Sequence, residues 1–429
     1  MSSVSALSRS SLPSASVLAR LVCAVALSCG ASLHAADPQP AAAAESARPA
    51  IGAVLSDAQA LVNSGQGAAA TAKLQAVESM GPLNGYEAYM LQRLRAAAAM
   101  QENDLTRAQA AFEAVLATQR LAPAEQWQIM ASLGQTLYRA KDYVASAKWL
   151  QRYAEAGGTD ADVLALRAPA SYFAKDYASA RTLLVASTQA DAAASRPTSL
   201  TTWKLLAGSQ RQLNDDAGYR QTLRKMAIQY PQPAIWAELV QRELGEPSTW
   251  PERQLLDVQR LLRAAGALSG ADHALSLAAQ AQQAGFPGEA VKVLDEALAA
   301  PGVTEAQKAE LAKQRLLAQR QAEADRRNRA RDEAAARQAR DGQGLVSLGW
   351  AWVTEGQTDT GLPLIAQGLQ RGGLTRIDEA RLHHGMALAL AGQAAEARQT
   401  LSQVKGDPAL VTLAGLWADF AERRTTAQP

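Results

Sequence analysis

The feature that most limits how this chain can fold is a recurrence of short helix-favouring segments broken by glycine. In residues 381–401, RLHHGMALALAGQAAEARQTL, small or apolar residues face one way at Leu382, Gly385, Ala389 and Gly392. Gly392 ends the segment, because glycine enters left-handed backbone angles with little steric strain. A second segment follows with Ala397, Leu401 and Val404 at helical spacing. Ala397 and Gly385 are small where two helices must approach. Such a hairpin leaves an apolar stripe uncovered, so it needs a neighbour.

The neighbours are upstream. LGWAWVTEGQTDTGLPLIAQGL places Gly349, Gly356, Gly361 and Ile365 in the same roles, and Gly349 precedes Gly385 by 36 residues. Gly134, Tyr143, Ala147 and Leu150 repeat the theme, as do Tyr177, Ala180 and Leu184; Tyr143 and Tyr177 are 34 residues apart. Shorter echoes occur at Ala70, Leu74 and Val77, at Ala108, Phe112 and Val115, and at Gly285, Ala290 and Leu294. The stretch from Trp203 through Leu206, Ala207 and Leu223 ends at Pro231. Only 4 Phe are present against abundant Leu and Ala, which suits thin layers of helices better than one aromatic core or a sheet.

This pattern resembles the tetratricopeptide repeat (TPR) family, whose unit is a helix–turn–helix of about 34 residues. The resemblance implies an all-α solenoid over most of residues 51–425, with a generic helical bundle as the rival arrangement. Several copies depart from the family pattern; the one beginning at Trp203 carries Ala207 in place of its glycine. We divide the chain into an N-terminal array (51–245), middle helical repeats (246–303), a long charged segment (304–341) and a C-terminal repeat pair (342–425). The charged segment lacks Gly and Pro and predicts one helix of roughly 55 Å at 1.5 Å per residue.

The N-terminus reads as an export signal. Arg9 and Arg20 are the only charges before the mostly apolar run Leu21–Leu33, and small residues offer a cleavage site after Ala35. That run falls short of the ~20 residues of a comfortable membrane span. Residues 36–50 predict a flexible lead. Both cysteines, Cys23 and Cys29, lie within residues 1–35, so the mature chain is expected to have no disulfide or thiol ligand. Cys29 lacks the large aliphatic residue of a lipid-attachment box at Ala26, which favours a free over an anchored protein. Removing residues 1–35 takes two arginines and no acids from 43 basic and 41 acidic residues, leaving 41 of each. A neutral chain presents no global field for nucleic acid. The expected compartment is the periplasm.

Candidate sites are few. His383 and His384 are adjacent and point about 100° apart on a helix, whereas two ligands on one face need a spacing of three or four. The repeat pattern places His384 inward and His383 outward, in structural roles, with metal binding or pH sensing as the alternative. Trp203 and Trp236 are expected between helices. Trp350 and Trp352 flank Ala351 and face different ways, so one is a candidate anchor for a protein partner. Arg326, Arg327 and Arg329, with Arg331, form the most basic spot and a candidate patch for acidic partners; Glu323, Asp325, Asp332 and Glu333 flank it. No aromatic lies between these arginines to stack bases. No nucleophile elbow, phosphate-cradling loop or catalytic triad stands out, and no cofactor is called for.

These readings favour a non-enzymatic envelope scaffold that binds other proteins. Segments such as YRQTLRKMAIQYPQPAIWAELVQRE and AAQAQQAGFPGEAVKVLDEAL resemble proteobacterial periplasmic TPR proteins associated with TonB–ExbB–ExbD systems. That resemblance spans about residues 200–420 and implies TonB-system components as partners. His384 departs from it by replacing an apolar residue. The alternatives are an assembly factor for outer-membrane proteins or polysaccharide, and a glycan-processing enzyme using Glu379, Glu355 or Asp378 as proton donor.

Overall fold

A computed structural model describes residues 46–245 and 250–426. Residues 1–45, which hold the expected export signal, both cysteines and most of the expected lead, lie outside the described residues. All regular structure among the described residues is helical. The chain divides into two compact units between Ala193 and Ala194.

The first unit contains α1 (Pro49–Asn63), α2 (Gly67–Glu78), α3 (Gly85–Gln101), α4 (Leu105–Ala117), α5 (Pro123–Arg139), α6 (Tyr143–Glu155), the short α7 (Ala161–Ala165), α8 (Arg167–Phe173) and α9 (Tyr177–Ala193). The second contains α10 (Leu200–Gln212), α11 (Asp216–Gln229), α12 (Pro233–Leu244), α13 (Glu252–Ala264), α14 (Ala271–Gln283) and α15 (Pro287–Ala299). It continues with α16 (Glu305–Gln338), α17 (Gln343–Thr354), α18 (Thr358–Arg371), α19 (Ile377–Leu390), α20 (Ala394–Leu401) and α21 (Pro408–Thr426).

One hairpin design recurs eight times among the described residues. A small residue in the first helix stands at Ala58, Ala96, Gly134, Ala168, Ala207, Ala278, Gly349 and Gly385. Sixteen positions later comes a buried large residue: Leu74, Phe112, Leu150, Leu184, Leu223, Leu294, Ile365 and Leu401. Seven positions after each small residue the backbone turns left-handed, at Gly65, Asn103, Lys141, Lys175, Asn214, Gly285, Gly356 and Gly392. The next amide then donates back to the carbonyl five residues earlier, as in Asp142 to Leu137 at 3.0 Å and Gln393 to Leu388 at 2.9 Å. This closes the first helix by satisfying a carbonyl that would otherwise be orphaned. Where aspartate follows the turn, its side chain caps the second helix: Asp104, Asp142 and Asp215 accept from the amides of Arg107, Ala145 and Gly218.

The spacing explains the packing. A Cβ on Gly134 would lie 2.6 Å from Leu150, and one on Gly349 would lie 2.6 Å from the carbonyl oxygen of Gly361. Helices α17 and α18 touch backbone to backbone at two levels, Gly349–Gly361 and Gly342–Gly368. Ser146, in the second helix of its hairpin, donates its hydroxyl to the Gly134 carbonyl at 2.7 Å.

The register skips a hairpin twice. Helices α12 and α13 fill the first gap. The second is filled by α16, 34 residues long without a turn and about 51 Å in length, which packs on α15 and α17. Its buried residues Leu311, Ala318, Ala322, Arg329 and Ala336 form one stripe. The last helix, α21, packs on α19 and α20 and also on α11, so the second unit closes on itself. Trp236 on α12 and Phe420 on α21 meet edge to face at 5.9 Å.

The cap and the left-handed turn predict opposite effects at neighbouring residues. Asp142→Ala is expected to destabilise the first unit by about 1 kcal/mol. Lys141→Gly, at φ 65°, is expected to stabilise it by roughly 0.5–1 kcal/mol by removing left-handed strain. Urea denaturation of the two variants checks both signs.

Candidate functional site

Helix α13 places Gln254, Asp257 and Arg260 at steps of three, on one buried stripe beside Leu256 and Leu261. The elements around it supply partners. Arg260 donates to Glu289 on α15 through Nε at 2.9 Å and Nη2 at 2.5 Å, and to Asp257 through Nη1 at 2.6 Å. Its guanidinium lies 4.9 Å from the ring of Phe286 and 5.2 Å from that of Trp350. His383 on α19 stacks on Trp350 at 4.3 Å and nearly parallel, and its Nε2 lies 3.0 Å from the second oxygen of Asp257. Asp257, Arg260 and Glu289 are only 4, 7 and 2 % exposed.

Burial alone disfavours every charge in this cluster. Burial pushes the Asp257 carboxyl up, but His383 and Arg260 outweigh it and leave it below the ordinary carboxylate value. Burial likewise opposes the charge on Arg260, and the two carboxylates more than compensate. One guanidinium faces two carboxylates.

Beside this cluster a cleft of about 460 Å³ opens between α13, α17 and α19, with the α14–α15 turn and Leu410 of α21 at its edges. At its rim Arg253 pairs with Glu379 at 2.6 Å, and Gln254 donates to Asp407 at 2.8 Å. That bond is the main reason Asp407 lies below the usual carboxylate range. A second buried pair lies nearby. Arg329 grips Glu355 with Nη1 at 3.0 Å and Nη2 at 2.6 Å, and its guanidinium sits 4.1 Å over the ring of Trp352.

The residues singled out from sequence thus separate. Trp350 is 2 % exposed and serves the cluster, whereas Trp352 is half-buried under Arg329. Arg329 is committed to Glu355. Arg326 and Arg327 are exposed on α16. Trp203 and Trp236 are buried. His383 does not face solvent as the hairpin pattern alone implies. Helix α13 lies across that face and covers it, while burial lowers the pKa of His384. Glu379, Glu355 and Asp378 are each engaged by an arginine: Arg253, Arg329 and Arg381. Among the described residues no group of three or more His, Asp or Glu is arranged to hold a metal ion. The sequence reading missed Asp257, Arg260, Phe286 and Glu289; the available signal was a polar stripe on α13 as long as its apolar one.

A third ion pair is half-buried. Arg224 on α11 donates to Asp419 on α21 at 2.6 Å and to Glu243 at 2.9 Å. Burial pushes Asp419 up to about 6, against the pull of Arg224. The folded chain therefore holds a proton between about pH 4 and 6 that the unfolded chain releases, and stability falls as pH rises through that window. Asp419→Asn is expected to remove a pH-dependent component of the order of 2 kcal/mol. The melting temperatures of wild type and variant, compared from pH 4 to 7, read it: the wild type loses ground to the variant as pH rises.

No family model matches this chain, and no curated protein matches it. Among solved structures, the TPR domain of P58(IPK) is similar at 11 % identity over 88 % of this chain and 100 % of that one, with a TM-score of 0.21. The structure of Naa15/Naa10 bound to HypK-THB is similar at 10 % identity over 82 % of this chain and 68 % of that one, with a TM-score of 0.24. The hairpin architecture stands on the chain's own register of small and large residues.

Proposed function

We propose that this chain is a non-catalytic periplasmic scaffold that holds protein partners on stacked helical hairpins, and that its clients belong to TonB–ExbB–ExbD uptake systems. The observation that carries the scaffold reading is the hairpin register, repeated four times in each of the two units, whose paired helices give each unit a preformed surface. A rigid surface loses little freedom on binding, so more of the contact energy appears as affinity. Exposed Arg326 and Arg327 on α16 offer a place for an acidic segment of a client. The apolar run Leu21–Leu33 and the small residues after it support export. Among the described residues no helix is long and apolar enough to cross a membrane.

In vivo crosslinking of tagged chain, followed by mass spectrometry, tests this. The expected result is enrichment of TonB-system components that weakens in Arg326→Glu, Arg327→Glu. Export with enrichment of outer-membrane assembly proteins instead would retain the scaffold and discard the client. Enrichment of no protein at all would discard the scaffold.

A further inference from the structure

Helix α13 belongs to none of the eight hairpins, yet its contacts reach several of them. Val346 and Trp350 of α17, Glu379 and His383 of α19 and Leu410 of α21 line one cleft with it. Those of α17 and α19 are residues of first helices, whose exposed faces stacked hairpins leave open for partners, and Leu410 borders them from the last helix. The side-chain bonds of α13 are spread over separate elements: Arg260 to α15, Asp257 and Arg253 to α19, and Gln254 to the α20–α21 loop. An apolar edge, Leu256, packs on Leu277 and Val293. This is how an amphipathic helix docks into a groove, apolar on one side and placed by polar pairs on the other. Glycines in left-handed angles flank α13 on both sides. Gly245 ends the preceding helix at φ 61°, and Gly266 and Gly270 follow it at φ 70° and 96°.

We infer that α13 occupies, in cis, the helix-binding groove of the second unit. A partner engages that groove by exchanging for α13 an amphipathic helix of its own, with an acidic residue followed three positions later by arginine, as in Asp257 and Arg260. This rests on the scaffold reading and adds the partner's chemistry and a closed resting state. A groove filled by its own chain presents a lower apparent affinity, by the fraction of time it stands open.

Hydrogen–deuterium exchange on the intact chain, with a labelled synthetic peptide of residues 250–266, tests the inference. The amides of α13 are expected to exchange at least about tenfold faster than those of α17 and α19, through a local opening. The peptide is expected to bind a full chain carrying Asp257→Ala and Arg260→Ala at least about tenfold more tightly than wild type. A peptide bearing the same two changes should bind neither. Equal exchange rates for α13, α17 and α19 would make α13 an integral core helix and overturn the inference. So would a doubly substituted chain of wild-type helicity that takes up the peptide no better. If that chain fails to fold, the exchange rates of the wild type decide alone. None of these readouts depends on the client, so failure of the TonB reading leaves them standing.

Discussion

Gly361→Val is expected to lower the unfolding free energy of the second unit by about 3 kcal/mol or more. A Cβ at Gly361 would run into the carbonyl oxygen of Gly349 and come within 2.6 Å of a Val353 methyl. The first obstacle is backbone, which no rotamer change can move. Across the same contact, Gly349 meets Gly361 and Ile365, so separating the helices also unpacks Ile365, which is fully buried. A close-packed interior relaxes only partly, and valine adds the stiffness of β-branching within a helix. Gly415→Ala supplies the contrast: its Cβ would find only the guanidinium of Arg224, at 3.4 Å. There the helix-propensity gain of up to about 1 kcal/mol should prevail. Denaturant midpoints of both variants against wild type measure the pair of opposite signs; a Gly361→Val midpoint equal to wild type would show that α17 and α18 are not in contact.

Arg260→Ala is expected to cost about 3–5 kcal/mol in the stability of docked α13, because it strands the buried Glu289 without its cation and leaves Asp257 only His383. Arg260→Lys should rescue little of this. A single ammonium cannot reproduce the two-nitrogen grip on Glu289 while also reaching Asp257, nor lie flat between Phe286 and Trp350. In the alanine variant, burial without the guanidinium raises the pKa of Asp257. The folded state then takes up protons that the unfolded state does not, so the deficit shrinks as pH falls from 7 toward 5. Tryptophan fluorescence during denaturation reports the change, since Trp350 borders the guanidinium. A deficit that stays constant with pH would mean that the stranded carboxylates have reached water.

The hairpins were legible in the sequence because their determinants are local. A small residue, a left-handed turn and a large residue recur within one hairpin, so Gly385, Gly392 and Leu401 announce their roles unaided. The turnless α16 was legible for the same reason, through its lack of Gly and Pro and its charged helix formers. The cleft was not. Asp257 and His383 meet across 126 positions of chain, and no periodicity within α13 or α19 encodes that meeting. The alternation at Trp350 and Trp352 showed that the two rings face different ways. Which ring is covered depends on Arg260 and His383 above one and Arg329 above the other. The orientation of His383 was misread for a related cause: the hairpin rule treats that face as open, and a helix from elsewhere in the chain lies on it.

Helix α16 spans the chain length of a repeat without folding back, which gives the second unit a strut. Pulling along such an element loads a ladder of axial hydrogen bonds rather than the side-by-side contacts that hold two antiparallel helices together. A scaffold placed between moving partners would therefore give way first at its reversing joints and last along this rod.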